Sequence, residues 1–196
     1  RVLERPMQTP PARGLTALRE MLAPGLARMT GRNADPETEI LVTNGAMQAL
    51  GVCFRSLVEP GDEVVVPAPC FFFEGPIRAA GAVPVYVPGS DADGWRWDVD
   101  ALEAAIGTKT RALLLCNPGN PTGHVPLPTD VAAVAQLAER HGLIVVTDEA
   151  YESALWEDAT LASAFGLAED TVVIRSLSKS YALPQLRIGF LAGPAA

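Results

Sequence analysis

A lysine stands among several hydroxyl side chains near the end of the chain. Lys179 lies in the run Ser176-Leu177-Ser178-Lys179-Ser180-Tyr181, and Arg187 follows eight residues later. An amine can form a Schiff base with an aldehyde, and a guanidinium presents a fork of N–H donors that matches a phosphate. With the hydroxyls of Ser176 and Ser178 beside them, these groups predict a site for a phosphorylated aldehyde.

Three further segments each follow an apolar, strand-like run. They are Asn44-Gly45-Ala46-Met47, Asn117-Pro118-Gly119-Asn120-Pro121-Thr122-Gly123 and Thr147-Asp148-Glu149-Ala150-Tyr151-Glu152. Taken singly, each has an ordinary structural interpretation as a turn or as an acidic helix start. The first also opens a predicted helix, whose free N–H groups would accommodate an anion. Their occurrence together with the lysine run favours one common site.

In order and spacing, these segments resemble the pyridoxal-phosphate (PLP)-dependent aminotransferases of fold type I, the aminotransferase class I/II family. The resemblance extends from about Gly14 to Gly193. It implies PLP as the cofactor and an amino acid and a 2-oxo acid as the substrates. It also implies a homodimer for the full-length protein.

The resemblance also implies a role for each candidate residue. Lys179 would form the Schiff base and then move the α-proton as a general base. Asp148 would keep the ring nitrogen protonated, while Asn120 and Tyr151 would contact the phenolic oxygen of the cofactor. Phe71, with Phe72 as the alternative, would stack on the ring. The residues implied for the phosphate are Gly45, Ala46, Met47, Ser176, Ser178 and Arg187.

Charge and burial refine these expectations. Burial and the neighbouring Arg187 are expected to disfavour the ammonium form of Lys179 and so to make its amine more nucleophilic. A carboxylate that ends an apolar strand needs a cationic partner, and for Asp148 this would be the protonated ring nitrogen. Glu149 and Glu152 are interpreted as solvated or structural acids without a catalytic role. Of three consecutive Phe residues, at least one is expected to pack into the core.

Composition narrows the class of protein. The chain has 196 residues, 48% of them hydrophobic and 19% charged, which is typical of one soluble domain with a substantial core. With a net charge of −8 and no basic cluster, we expect no nucleic-acid partner. No apolar run reaches the roughly 18 residues of a membrane span, and no signal pattern is present, so we expect no membrane association. Cys53, Cys70 and Cys116 lack metal or redox spacing, which predicts buried thiols in a reducing cytoplasm and no metal site.

Apolar runs alternate with helical stretches along the chain. We predict a three-layer α/β/α fold with a mostly parallel seven-stranded sheet, the large domain of fold type I. The predicted strands are 40–43, 63–67, 83–87, 111–115, 143–147, 171–176 and 187–192, and the predicted helices include 48–57, 99–106 and 131–141. Asp98 is expected to cap the second of these helices, and Thr129 or Asp130 to start the third.

The chain also departs from the family pattern. Where relatives usually carry a Tyr that reaches the neighbouring subunit's phosphate, this chain has Gln8 or Thr9. We expect residues 1–196 to be an incomplete PLP-binding large domain, without the family's amino-terminal segment and small domain. That small domain would carry the arginine for the substrate carboxylate.

Other functions share the same cofactor residues. A PLP-dependent lyase or synthase acting at Cβ or Cγ is one alternative, and a non-catalytic aminotransferase-like module of a transcription regulator is another. A dinucleotide-binding domain is disfavoured because no G-x-G-x-x-G follows the first strand. The sequence does not specify the amino-acid substrate.

Overall fold

A single seven-stranded sheet forms the centre of the fold in the computed structural model, which describes residues 9–156 and 159–195. The strands are β1 (Ile40–Thr43), β2 (Glu63–Ala68), β3 (Val83–Pro88), β4 (Thr110–Cys116), β5 (Ile144–Asp148), β6 (Thr171–Ser176) and β7 (Gly189–Ala192). Their order in the sheet is β1-β7-β6-β5-β4-β2-β3. Only β7 runs antiparallel to its neighbours, so the predicted mostly parallel sheet is confirmed.

Helices cover both faces of the sheet. They are α1 (Thr16–Thr30), α2 (Ala46–Leu57), α3 (Glu74–Ala79), α4 (Val99–Ala104), α5 (Pro128–His141) and α6 (Leu177–Ser180). Helices α2 and α3 pack on one face, and α1, α4 and α5 pack on the other. Successive side chains of a strand alternate between these two faces. In β4, Ala112 and Leu114 pack against the α2 and α3 side, whereas Leu113 and Leu115 pack against the α4 and α5 side. Burial on both faces explains the continuous apolar runs and gives the predicted three layers.

Several element boundaries differ from the sequence prediction. Helix α5 begins at Pro128 and not at Thr129 or Asp130, because the first position of a helix needs no N–H donor. Asp130 instead accepts a hydrogen bond from the Leu127 N–H (3.4 Å). Asp98 caps α4 as predicted, accepting from the Ala101 N–H at 3.0 Å. Arg187 was predicted to begin the last strand, but it lies before β7 in a left-handed conformation (φ 51°).

The sheet order brings the polar segments to one edge. Strands β4, β5 and β6 are parallel neighbours, so the segments after Cys116, Asp148 and Ser176 leave the sheet side by side. Strand β1 points the same way as these three strands, because β7 lies antiparallel to both β1 and β6. The start of α2 therefore reaches the same edge. Within the described ranges, no helix combines the length and apolarity needed to cross a membrane.

Candidate active site

A cavity with a volume of about 260 Å³ opens at the carboxyl-terminal edge of the sheet. Every predicted site residue lines it except Gly45, which lies beside it against Arg187. The predicted residues in the lining are Ala46, Met47, Phe71, Asn120, Asp148, Tyr151, Ser176, Ser178, Lys179 and Arg187. Ligands of parallel α/β sheets bind at this edge. The structure thus brings together side chains from six separate parts of the sequence.

One end of the cavity has two positive features facing each other. Gly45 begins α2 with φ 79°, and a side chain there would overlap the guanidinium of Arg187. The N-terminus of α2 carries partial positive charge and free N–H groups, so the two features repel unless an anion lies between them. Arg187 is held in place by hydrogen bonds to Ser178 Oγ (3.3 Å) and to the Pro184 carbonyl (3.1 Å). This end of the cavity fits a phosphate.

Ser176 has a second task besides lining the cavity. It is buried at the end of β6, and its Oγ accepts a hydrogen bond from the Ser178 N–H (3.2 Å) as the N-cap of α6. This cap starts the helix that carries Lys179 directly after the strand.

Asp148 ends β5 as a half-buried carboxylate in the cavity wall. Its Oδ1 accepts a hydrogen bond from the Ala150 N–H at 3.1 Å. Burial raises the pKa of Asp148 to about 6; the Ala150 hydrogen bond opposes this, and the charges of Glu149 and Glu152 add to it. Across the described ranges, no lysine or arginine forms an ion pair with Asp148. The carboxylate fits a cationic ring nitrogen supplied by a ligand.

The amide, the phenol and the amine predicted for the site lie close together. Asn120 Nδ2 donates to the Tyr151 hydroxyl at 3.4 Å, and Lys179 Nζ lies 5.4 Å from the centroid of the Tyr151 ring. The expected burial of Lys179 is wrong for this chain, because its side chain is exposed. Residues 181–187, which follow it, are exposed as well and do not cover the amine.

The three consecutive Phe residues separate into two environments. Phe73 is buried in the core, which confirms the expectation that at least one packs inward. Phe71 and Phe72 are exposed and both border the cavity, with ring centroids 5.7 Å apart. Both predicted stacking candidates therefore reach the site.

Cys116 is a lining residue that sequence reasoning did not place in the site. It ends β4 opposite Asp148 and borders the cavity. Burial, with the charge of Asp148, raises the pKa of the Cys116 thiol to about 12, so the thiol is neutral near pH 7. Its position between an apolar strand and the Asn117-Pro118 turn was the available signal.

Glu149 belongs to a buried network behind the site. It is fully buried and pairs with Arg175 (Nη2 to Oε2, 2.5 Å), and the Ser163 hydroxyl donates to its other oxygen at 2.5 Å. Of the two interpretations predicted for this acid, the solvated one is wrong and the structural one fits. The other predicted departure concerns residues 8 and 9: Gln8 lies outside the described residues, and Thr9 is exposed.

The sequence and the fold are those of a known enzyme family. The sequence profile of Aminotransferase class I and II matches residues 5–196, and the chain belongs to this family. It is 42% identical over 193 residues to the probable N-succinyldiaminopimelate aminotransferase DapC of Mycobacterium tuberculosis, covering 96% of this chain and 49% of that protein. It is 37% identical over 184 residues to the putative aminotransferase YugH of Bacillus subtilis, covering 92% and 48%.

Solved structures give the same result. An aromatic aminotransferase from Pyrococcus horikoshii superposes with a TM-score of 0.92 at 38% identity, covering 96% of this chain and 51% of that one. N-succinyldiaminopimelate aminotransferase from Mycobacterium tuberculosis gives 0.91 at 39% identity, covering 95% and 50%. The chain spans about half the length of the curated relatives it matches.

Proposed function

We propose that the protein containing this chain is a PLP-dependent aminotransferase that moves an amino group between an amino acid and a 2-oxo acid. Residues 1–196 would form its PLP-binding large domain. One observation carries the proposal: the amine of Lys179, the carboxylate of Asp148 and the anion site at Arg187 share one cavity. Family membership supports the same reaction class.

The phosphate of the cofactor would bind where α2 begins. The backbone N–H groups of Ala46 and Met47 are free at this terminus, and Gly45 allows close approach. The guanidinium of Arg187 neutralises the phosphate charge, and the Ser178 hydroxyl that contacts Arg187 adds a donor. Ser176 contributes mainly by capping α6.

Three groups would hold the ring of the cofactor. The Asp148 carboxylate keeps a proton on the ring nitrogen, and the pair Asn120 and Tyr151 donates to the phenolic oxygen. Phe71 offers an exposed aromatic face beside them. Bound PLP supplies an aldehyde for amines and a ring that accepts the electron pair left on the substrate's Cα.

Lys179 would act twice. Its amine would hold the cofactor covalently, as the nucleophile of the site. The same amine would take the proton from the substrate's Cα, because a general base must lie within reach of the reacting atom. The exposure of Lys179 to the cavity leaves room for the substrate on this side.

The relatives are named for different substrates, among them N-succinyldiaminopimelate, aspartate and aromatic amino acids. We therefore propose the reaction class without a particular amino acid. We also propose a cytoplasmic homodimer for the whole protein. Exposed apolar side chains such as Met21 and Tyr181 support a subunit contact.

Cofactor attachment tests the proposal in the full-length protein. PLP is added, the protein is reduced with borohydride, and the labelled peptide is identified by mass spectrometry. We expect the pyridoxyl group on Lys179 and amino-group transfer from at least one amino acid in a panel. Lys109 is the only other lysine of this chain and serves as the internal control. A label on another lysine would refute the site, and a label on Lys179 without transfer to any 2-oxo acid would favour a lyase, a synthase or a non-catalytic module.

A further inference from the structure

A side-chain hydrogen bond that the proposed roles do not use joins the turn after β5 to the lysine helix α6. The Ser180 hydroxyl donates to Oε1 of Glu152. Ser180 directly follows Lys179, and Glu152 directly follows Tyr151. The bond therefore connects the two segments that place the amine next to the phenol.

The lysine segment, residues 178–187, has few other anchors. Leu177, just before it, packs against the core formed with α1 and donates its N–H to the Ile188 carbonyl at 3.0 Å. Beyond Leu177, the side-chain hydrogen bonds of Arg187 stay within the segment. In the described part of the chain, two hydrogen bonds that involve side chains join this segment to the rest of the fold. One is the bond to the Ser176 cap, and the other is the Ser180–Glu152 bond. This bond therefore adds a restraint on the direction of α6 to those of Leu177 and the Ser176 cap.

Glu152 is a firm anchor for this bond. Its N–H donates to the Glu149 carbonyl (3.1 Å), and the Ala154 N–H donates to the Tyr151 carbonyl (2.8 Å), so the turn is closed on both sides. Its second oxygen, Oε2, is buried without a protein hydrogen-bond partner among the described residues. Ser180 is thus the side chain that orients this carboxylate.

We propose that Glu152 and Ser180 are positioning residues that hold α6 against the turn after β5, so that the Lys179 amine stays beside Tyr151 and Asn120. The inference rests on the proposed function for its catalytic consequence only. The link between the two segments is a property of the chain itself. Misplacement of a reacting group by about 1 Å can lower a rate by about 100-fold, so a small tilt of α6 has a measurable effect.

Hydrogen exchange of the cofactor-free, full-length protein tests the link. The amides of residues 177–187 are compared in wild type, Ser180→Ala, Ser180→Thr and the matched control Ser153→Ala, an exposed serine of the same turn. We expect Ser180→Ala to speed exchange about tenfold, the effect of losing one hydrogen bond to a charged group. Ser180→Thr keeps the hydroxyl, so it and the control should match wild type. Unchanged exchange in Ser180→Ala would overturn the proposal.

Steady-state kinetics of the PLP-loaded enzyme test the consequence. We expect Ser180→Ala to lower kcat about tenfold while the amino-acid KM changes by less than about twofold, because orientation rather than binding is lost. Glu152→Ala should have a similar effect, and the double variant should be no slower than either. Faster exchange with an unchanged kcat would overturn the positioning role. If wild type transfers no amino group, the proposed function fails, and exchange still decides whether the link exists.

Discussion

Asp148 and Glu149 are consecutive acids with opposite surroundings. The side chain of Asp148 borders the cavity and has no cationic partner within the described chain, whereas Glu149 is fully buried and paired with Arg175. Successive residues at a strand end point to opposite faces of the sheet, which separates two chemically similar groups. The cation for Glu149 belongs to the chain, whereas in the proposed function the cation for Asp148 comes from the cofactor.

The difference assigns the two acids different energetic roles. A buried pair whose partner is removed leaves an uncompensated charge, so Glu149 is a structural requirement of the fold. A half-buried carboxylate without a cation also costs folding free energy, so the charge of Asp148 is expected to lower the stability of the cofactor-free protein. Stability given up at a functional site is a common trade-off in enzymes.

The largest expected effect follows from breaking the buried pair. Glu149→Ala should lower the free energy of unfolding by about 3 to 5 kcal/mol, because Arg175 is left charged and buried. Urea denaturation of the cofactor-free protein measures it. Glu139→Ala, an exposed acid on α5, is the control and should change stability by less than about 0.5 kcal/mol. A similarly small loss for both variants would contradict the structural role.

The next effect concerns cofactor affinity. Asp148→Asn removes the partner of the cationic ring nitrogen and should weaken PLP binding by about 2 to 4 kcal/mol, roughly 30- to 1000-fold in Kd. Fluorescence titration with PLP measures this. Asp170→Asn makes the same chemical change at an exposed site and should leave Kd unchanged. Equal Kd values for PLP in Asp148→Asn and wild type would show that Asp148 is not the partner of the ring nitrogen.

The raised pKa of Asp148 predicts a pH dependence of stability. The folded-state pKa is about 6 and the ordinary value 3.8, so the folded state binds the proton more tightly. The contribution of Asp148 is therefore favourable below about pH 4 and is lost as pH rises to 6. At neutral pH, cofactor-free Asp148→Asn should be more stable than wild type by at most about 3 kcal/mol, with no such gain near pH 4. Thermal unfolding of both proteins across this range tests it, and a pH-independent difference would count against the raised pKa.

The smallest effect concerns the hydroxyl that supports Glu149. Ser163→Ala removes a hydrogen bond to the buried carboxylate but leaves Arg175 in place, so we expect a loss of about 1 to 2 kcal/mol. Urea denaturation of Ser163→Ala and of the exposed control Ser153→Ala measures this loss of unfolding free energy. A loss as large as that of Glu149→Ala would mean that Ser163, and not Arg175, carries the network.

Much of this arrangement could be predicted from the sequence. The seven strands were predictable because most of them are continuous apolar runs, and the site segments were predictable because each follows a strand. The pairing of Glu149 with Arg175 was not predicted, since the partners are 26 residues apart and meet only through strand order. An arginine within the apolar run of β6 was the available signal, because a buried charge needs a partner.

Other features depend on tertiary surroundings that no local pattern specifies. Lys179 is exposed because residues 181–187 do not cover its amine, and no local sequence pattern predicts this. Arg187 continues an apolar run in sequence, but its position against Gly45 requires a left-handed backbone that ends the strand pattern. The start of α5 at Pro128, by contrast, could have been predicted from the sequence, because proline is favoured at the first position of a helix.

The protonation state of the bound ring nitrogen tests the central claim most directly. PLP labelled with ¹⁵N in its ring is bound to the full-length wild type and to Asp148→Asn at mildly alkaline pH, and the ¹⁵N chemical shift is recorded. We predict a protonated ring nitrogen in wild type and a neutral one in Asp148→Asn, because Asp148 is the carboxylate that lines the proposed site among the described residues. A neutral ring nitrogen in wild type, or a protonated one in both proteins, would contradict the role of Asp148.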